Sequence, residues 1–372
     1  MRVTGPVNEL IGGVPLIHAV GTPRTIGEIL GYRLKPRLQV LAQYLREQFT
    51  AALVGTPHEG GQEELMSRLR NLFTPLAQMD PGLWMEIESM ARAADLGAEE
   101  LLLIHGYGDL LSFHGCAVPP MRSTFVALAP DHTDTGKVRM VHAWHLDPAL
   151  YPYITLVRRV PSHGPASLTL TLAGLHPVAG VSQARIGACV NELRVKDGKE
   201  GHFISHLLAS VFTAPSITDA SRRIIQGPRQ GGAAIHLMSA SERLSVELSG
   251  QLHVRLDDRQ PGAPRVHTNH ALDEAIQAQA SIQGDPGSKS RLVRLAAYAV
   301  EARGLDPGSI AGWFGLDSRE SSGKLKLESL VGMPSETTVI TVIDPSDCTL
   351  HLRRGGTPAK MESTSLDAKK SG

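Results

Sequence analysis

Apolar residues recur at three- and four-residue spacing through roughly the first hundred positions. Leu34, Leu38, Leu41, Leu45 and Phe49 fall on one helical face, and Leu65, Leu69 and Leu72 repeat the pattern. Pro36 is expected near a helix start or a kink, because proline lacks the N–H that an interior turn needs. Asp80 followed by Pro81 reads as a cap and a first-turn proline. Leu83, Ile87, Met90 and Ala94 then form one stripe that Gly97 is expected to end.

Beyond Gly115 the pattern changes to short apolar and β-branched runs. Strands are predicted over Ser123 to Leu128, Val138 to His142, Ile154 to Val160, Leu168 to Leu172, Ala233 to Met238, Leu244 to Leu248, Thr338 to Ile343 and Thr349 to Arg353. Asp134-Thr-Gly136 reads as a hairpin turn between the first two. Helical patterns are interleaved around Ile204 to Phe212, Ala220 to Ile225, Ala271 to Ala280 and Leu292 to Ala302. Antiparallel hairpins with helices between them predict sheets covered by helices, a layered α+β domain. The polar, small-residue tail, residues 359–372, is expected to be disordered.

Composition narrows the partners. The chain of 372 residues is long enough for a substantial core, and 37 Lys and Arg balance 37 Asp and Glu. With no net field toward nucleic acid, a neutral or small-molecule partner is expected. No uninterrupted stretch reaches the roughly 18 apolar residues of a membrane helix. Cys116, Cys189 and Cys348 are odd in number and widely spaced, unlike a disulfide framework, so a reducing cytoplasm is expected. No cofactor is expected, and oligomeric state is open.

The chemistry centres on Cys116, which directly follows Gly115 and precedes the strand at Ser123. A thiol is a strong nucleophile that needs a base beside it and a charge acceptor opposite. Further along lie Val141-His-Ala-Trp-His-Leu-Asp147, Gly187-Ala-Cys-Val-Asn191-Glu-Leu, His267-Thr-Asn269-His270 and Ser290-Arg291. His142 with His145, and His267 with His270, are three apart, but no third ligand or acidic cluster completes a metal site, so none is expected. Cys189 and Cys348 read as core residues.

These segments, with Gly21-Thr-Pro-Arg-Thr-Ile-Gly27-Glu-Ile-Leu-Gly31 as an opening motif, resemble in type and order the autoproteolytic cysteine acyltransferases and amidohydrolases typified by isopenicillin N acyltransferase. More distantly they are similar to acid ceramidase and N-acylethanolamine acid amidase. The resemblance implies a four-layer αββα sandwich of the N-terminal nucleophile type. It implies residues 1–115 as a mainly helical N-terminal segment and 116–358 as the catalytic core, divided by self-cleavage at Gly115/Cys116. It also implies attack on an N-acyl or peptide-like amide through a thioester on Cys116. The new α-amine, which titrates near pH 8, would then take the thiol proton.

By position Asn269 carries over as oxyanion donor, Asp147 as the acid near the nucleophile, Asn191 as a supporting residue and Arg291 as a charged partner. The bland alternatives are an Asn269 bonded to backbone in a turn and an Asp147 that only ends a strand. The chain departs from the family at two points. Ala117 to Arg122 intervene between Cys116 and the strand, so that strand-based alignment puts Arg122 or Ser123 in the nucleophile position. Trp144 and His145 replace the acid's usual polar neighbours. A catalytically silent binding or assembly protein, or an uncleaved enzyme performing a specialised acyl transfer or cyclisation, are the alternatives.

Overall fold

The computed structural model describes residues 9–55, 59, 61–113, 121–256, 262–281, 285, 287–314, 338–355 and 359–367. Cys116 and the 115/116 junction lie outside the described residues.

After the short β1 (Leu10–Ile11) and β2 (Val14–Gly21), the chain forms α1 (Pro23–Leu53), α2 (Gly61–Arg70), α3 (Phe73–Met79), α4 (Pro81–Ala94), α5 (Ala98–His105) and α6 (Tyr107–Phe113). Thr22 caps α1 by accepting the Thr25 N–H, and Asp80 Oδ1 accepts the Leu83 N–H at 2.9 Å to start α4. Pro36 lies inside α1, which continues on both sides of it, so it does not mark the helix start. The leucine stripe on both sides of it is fully buried, and packing outweighs one missing N–H. Helix α4 ends at Asp95, whose φ of 54° is left-handed, rather than at Gly97, which instead precedes α5. Gly27 and Gly31 of the opening motif sit where α1 crosses α4. A Cβ on them would stand 2.2 Å from the Glu86 carbonyl oxygen and 2.4 Å from that of Met90.

Nine strands make one sheet in the order β1-β2-β5-β6-β7-β8-β9-β10-β11, where β3 is Arg122–Leu128, β4 Arg139–His145, β5 Ile154–Pro161, β6 Ser167–Leu172, β7 His176–Ser182, β8 Gly187–Leu193, β9 Gly232–Met238, β10 Arg243–Leu248 and β11 His253–Leu256. Among the described strands, only the β2–β5 pair is parallel. The second sheet runs β12-β3-β4-β13-β14-β15, with β12 at Arg265–His267, β13 at Thr338–Asp344, β14 at Thr349–Arg354 and β15 at Glu362–Ser365. Helices α7 (Ile204–Val211) and α8 (Ile217–Ile224) lead into β9, and α9 (Glu274–Gln277), α10 (Ser288–Glu301) and α11 (Pro307–Gly312) follow β12. The helix expected over Ala271 to Ala280 is thus one short turn.

Alternation on β3 fixes the layers. Val126 and Leu128 pack with Leu295 of α10 and Ile310 of α11, while Phe125 and Ala127 face the nine-stranded sheet. The outer face of that sheet is covered by α7 and α8 through Ile235, Leu237 and Val246, and by α1 and α4, with Arg159 of β5 paired to Glu86 at 3.0 Å. The result is helix, sheet, sheet, helix, the four-layer αββα sandwich that was expected.

The tail is corrected in part. Residues 362–365 form β15, in register with β14 from Thr349↔Ser365 to Leu352↔Glu362, and Arg158 donates to Thr364 Oγ1 and to the Ser365 carbonyl. A polar edge strand takes its order from its neighbour, which local composition does not register. No helix among the described residues is long and apolar enough to cross a membrane.

Candidate active site

Ser123 is the second residue of β3, and alternation turns it inward toward β8. Asn191 answers it from β8, donating from Nδ2 to Ser123 Oγ at 2.8 Å. Asn269, just beyond β12, uses both ends of its amide: Oδ1 accepts the Ser123 N–H at 2.7 Å, and Nδ2 donates to Ser123 Oγ at 3.2 Å. Nδ2 also reaches the carbonyls of Glu192 at 3.1 Å and Met121 at 3.4 Å. Arg291 of α10 donates to Asn269 Oδ1 at 3.0 Å and pairs with Asp285 Oδ2 at 2.6 Å. Because a backbone N–H and a guanidinium both point at Oδ1, the orientation of this amide is determined by its partners.

Four of the expected residues are therefore brought together: Asn191 and Asn269 meet at Ser123, and Arg291 joins them through Asn269. Trp144 sits directly opposite Ser123 in the β3–β4 ladder and is buried. His145 pairs with Arg122 in the same ladder and is half-buried. Asp147 Oδ1 accepts the Ala149 N–H at 2.8 Å in the turn after β4, and no hydrogen bond among the described residues joins it to Ser123. Its charge adds to the upward shifts that burial causes in Tyr44 and Tyr107. Cys116 lies outside the described residues.

The remaining histidines of these motifs have separate partners. His142 contacts the Val190 carbonyl at 3.0 Å, His267 Nε2 meets Glu247 at 2.9 Å, and His270 Nδ1 meets Ser288 Oγ at 2.7 Å. Among the described residues, no group of three metal-ligating side chains occurs. Cys189 and Cys348 are buried, and burial pushes both thiols up.

Beside Ser123 lies a cavity of about 30 Å³, space for one or two waters, lined also by Trp144, Met121, His176, Asp109 and Glu192. Burial pushes the Glu192 carboxyl up to about 7, with Arg194 opposing the shift. Asp109 is held well above the usual carboxylate range by burial, against the Ile204 N–H that it accepts at 2.9 Å. A carboxyl near 7 can exchange protons at neutral pH. His176 shares its Nδ1 with the His105 carbonyl at 2.7 Å, which makes Nδ1 the protonated nitrogen and Nε2 the acceptor.

Sequence reasoning missed Glu192, Asp109 and Asp285. Glu192 follows Asn191 in a segment already singled out, and that adjacency was the available signal. Asp109 lies in α6, a helix the periodicity did not predict, and Asp285 is in a loop.

No family model matches the chain, and no curated protein matches it in sequence. Among solved structures it is similar to an N-acylethanolamine-hydrolyzing acid amidase ortholog of Caenorhabditis elegans, at 14% identity and TM-score 0.40, over 65% of this chain and 99% of that one. It is also similar to a mutant conjugated bile acid hydrolase from Clostridium perfringens, at 11% identity and TM-score 0.43, over 67% and 93%. A third is penicillin V acylase from Agrobacterium tumefaciens, at 14% identity and TM-score 0.37, over 66% and 86%. The fold assignment rests on the layer order described above.

Proposed function

We propose that this chain is an amide-bond hydrolase or acyltransferase of the N-terminal nucleophile type, acting on an N-acyl or peptide-like small molecule in the cytoplasm, with its chemistry at the head of β3. The observation that carries the reading is the convergence of the Asn191 and Asn269 amides on Ser123 Oγ.

In this reading Ser123 supplies the nucleophilic oxygen. Hydrolysis of the Arg122–Ser123 bond, in which water leaves Arg122 as a carboxylate, turns the Ser123 N–H, already bonded to Asn269 Oδ1, into an α-amine able to take the hydroxyl proton. Oγ adds to the substrate carbonyl, the amide NH2 groups stabilise the oxyanion, and the amine leaves with a proton. The resulting ester is resolved by water or by an acceptor amine. Each preorganised amide donor is worth on the order of 3 kcal/mol in such a transition state. Glu192 is suited to move a proton at the cavity, and Arg291 holds Asn269.

A second reading keeps Cys116 as the nucleophile, with a thioester and self-cleavage at Gly115/Cys116, Asp147 as its acidic partner and Trp144 and His145 as pocket residues. A silent fold is favoured by one observation: β3 runs unbroken through Arg122, which pairs with His145. Intact mass of fresh and incubated protein, with Ser123→Ala and Cys116→Ala alongside, tests all three. A new N-terminus at Ser123, or an acyl adduct there after incubation with an activated amide or ester, is expected and should vanish in Ser123→Ala. The same events at Cys116 would move the nucleophile to the thiol. A persistent full-length mass without adduct would leave only the silent fold.

A further inference from the structure

His236 of β9 lies between the sheets, fully buried. Its ring is stacked on Phe125, with centroids 3.8 Å apart and planes within 5°. Phe125 follows Ser123 by two residues on the same face of β3, so the stack ties the imidazole to the strand that carries the serine. Both ring nitrogens are engaged: Nε2 with Asn191 Oδ1 at 2.9 Å and Nδ1 with Ser245 Oγ at 2.8 Å. Ser245 Oγ also accepts from Arg265 Nη1 at 3.2 Å.

We propose that His236 is a positioning residue: as the Nε2–H tautomer it donates to Asn191 Oδ1 and so turns the Asn191 NH2 onto Ser123 Oγ. Donor and acceptor match at every link. An amide oxygen only accepts, an amide NH2 only donates, and a neutral imidazole has one nitrogen of each kind. The Ser245 hydroxyl gives its hydrogen to Nδ1 and takes one from Arg265. With the proton on Nδ1 instead, Nε2 would accept, Asn191 would turn its NH2 to the ring, and Ser123 Oγ would face an oxygen and lose one of its two donors. The tautomer and the amide orientation thus form a single two-state element. Burial, then His267, Arg265 and His142, keep the ring neutral.

The consequence for reactivity rests on the reading of Ser123 as nucleophile, whereas the tautomer does not, and the test separates them. In histidine-¹⁵N-labelled wild-type protein, with the His236 signals assigned by their loss in His236→Gln, the ring is expected as neutral Nε2–H. A neutral Nδ1–H ring or an imidazolium would overturn the proposal. A fluorophosphonate probe then reads Ser123 reactivity, with the adduct located by peptide mass. His236→Phe, which keeps a stacking ring without an N–H, should slow labelling about tenfold, the equivalent of one lost hydrogen bond. His236→Gln, whose amide N–H can reach the position of Nε2, should recover most of that loss. Equal rates in wild type and His236→Phe, or equal losses in both variants, would overturn the positioning role. An unlabelled wild type with an Nε2–H ring would sink the Ser123 reading and leave the Asn191 orientation standing.

Discussion

Asn269 holds Ser123 with both ends of one amide, accepting the backbone N–H at 2.7 Å through Oδ1 and donating to Oγ at 3.2 Å through Nδ2. A residue 146 positions away in sequence thereby sets both the main chain and the side chain of the candidate nucleophile. The two ends do different things, so substitution can separate them. Asn269→Asp keeps an acceptor for the Ser123 N–H and for Arg291 but removes the NH2 donor. Acylation at Ser123 should fall by roughly 10²–10³-fold in this variant. Asn269→Ala should lose the rate and also about 1–3 kcal/mol of stability, because buried donors then lack their acceptor. Adduct formation by mass and urea unfolding, run in parallel, check both.

Arg291 and Asp285 form a pair whose side chains are 3% and 1% exposed. Arg291→Met would leave the carboxylate buried, with Arg122 Nε at 3.8 Å as a cationic neighbour. The expected cost is about 3–5 kcal/mol in denaturant unfolding. Adding Asp285→Asn to Arg291→Met should recover part of it, and a double variant no better than the single would count against an unpaired charge as the cause.

Glu192 makes stability depend on pH. Its folded carboxyl is raised to about 7 from the usual 4.5, so the folded state binds more protons than the unfolded state between these values. Stability contributed by this group is therefore lost as pH rises from about 4.5 through 7, on the order of 3 kcal/mol in all. Asp109, also raised, acts in the same direction. Glu192→Gln should flatten the decline measured by urea unfolding at pH 5, 6, 7 and 8, and an unchanged slope would show that the carboxyl does not titrate there.

Gly27 and Gly31 give a prediction far from the site. Alanine at either would press a methyl into the α4 backbone, at 2.2 Å from the Glu86 oxygen or 2.4 Å from the Met90 oxygen. Overpacking of this kind costs about 1–3 kcal/mol, although alanine favours a helix elsewhere. Lower thermal midpoints for Gly27→Ala and Gly31→Ala, with Gly82→Ala as a comparison whose nearest neighbour is 3.4 Å away, would bear this out.

Helices with a continuous apolar stripe and a local cap were legible because the determining atoms are close in sequence: Asp80 caps Leu83, and Leu34 to Phe49 share one face. The strands from Ser123 to Leu128 and Ala233 to Met238 were legible from their apolar runs, and the Asp134–Gly136 turn from Gly136, whose φ is +67°. Where a long-range partner decided, local pattern failed. The polar segment at 362–365 is a strand because β14 lies beside it.

The same division holds at the candidate site. The resemblance in residue type and order pointed to Cys116 as nucleophile, with Asp147, Asn191, Asn269, Arg291, Trp144 and His145 around it and Ser123 as the alternative, whereas periodicity, a local property, pointed to the layered α+β class. Only the tertiary structure decided that the two asparagines converge on Ser123, that Asp147 bonds its own turn, and that Glu192, Asp285 and His236 complete the surroundings. Those relations depend on strand register and on which faces of the two sheets meet. A one-residue slip of β3, β8 or β9 would turn Ser123, Asn191 or His236 to the opposite layer, and register is set by the whole sandwich rather than by any one segment.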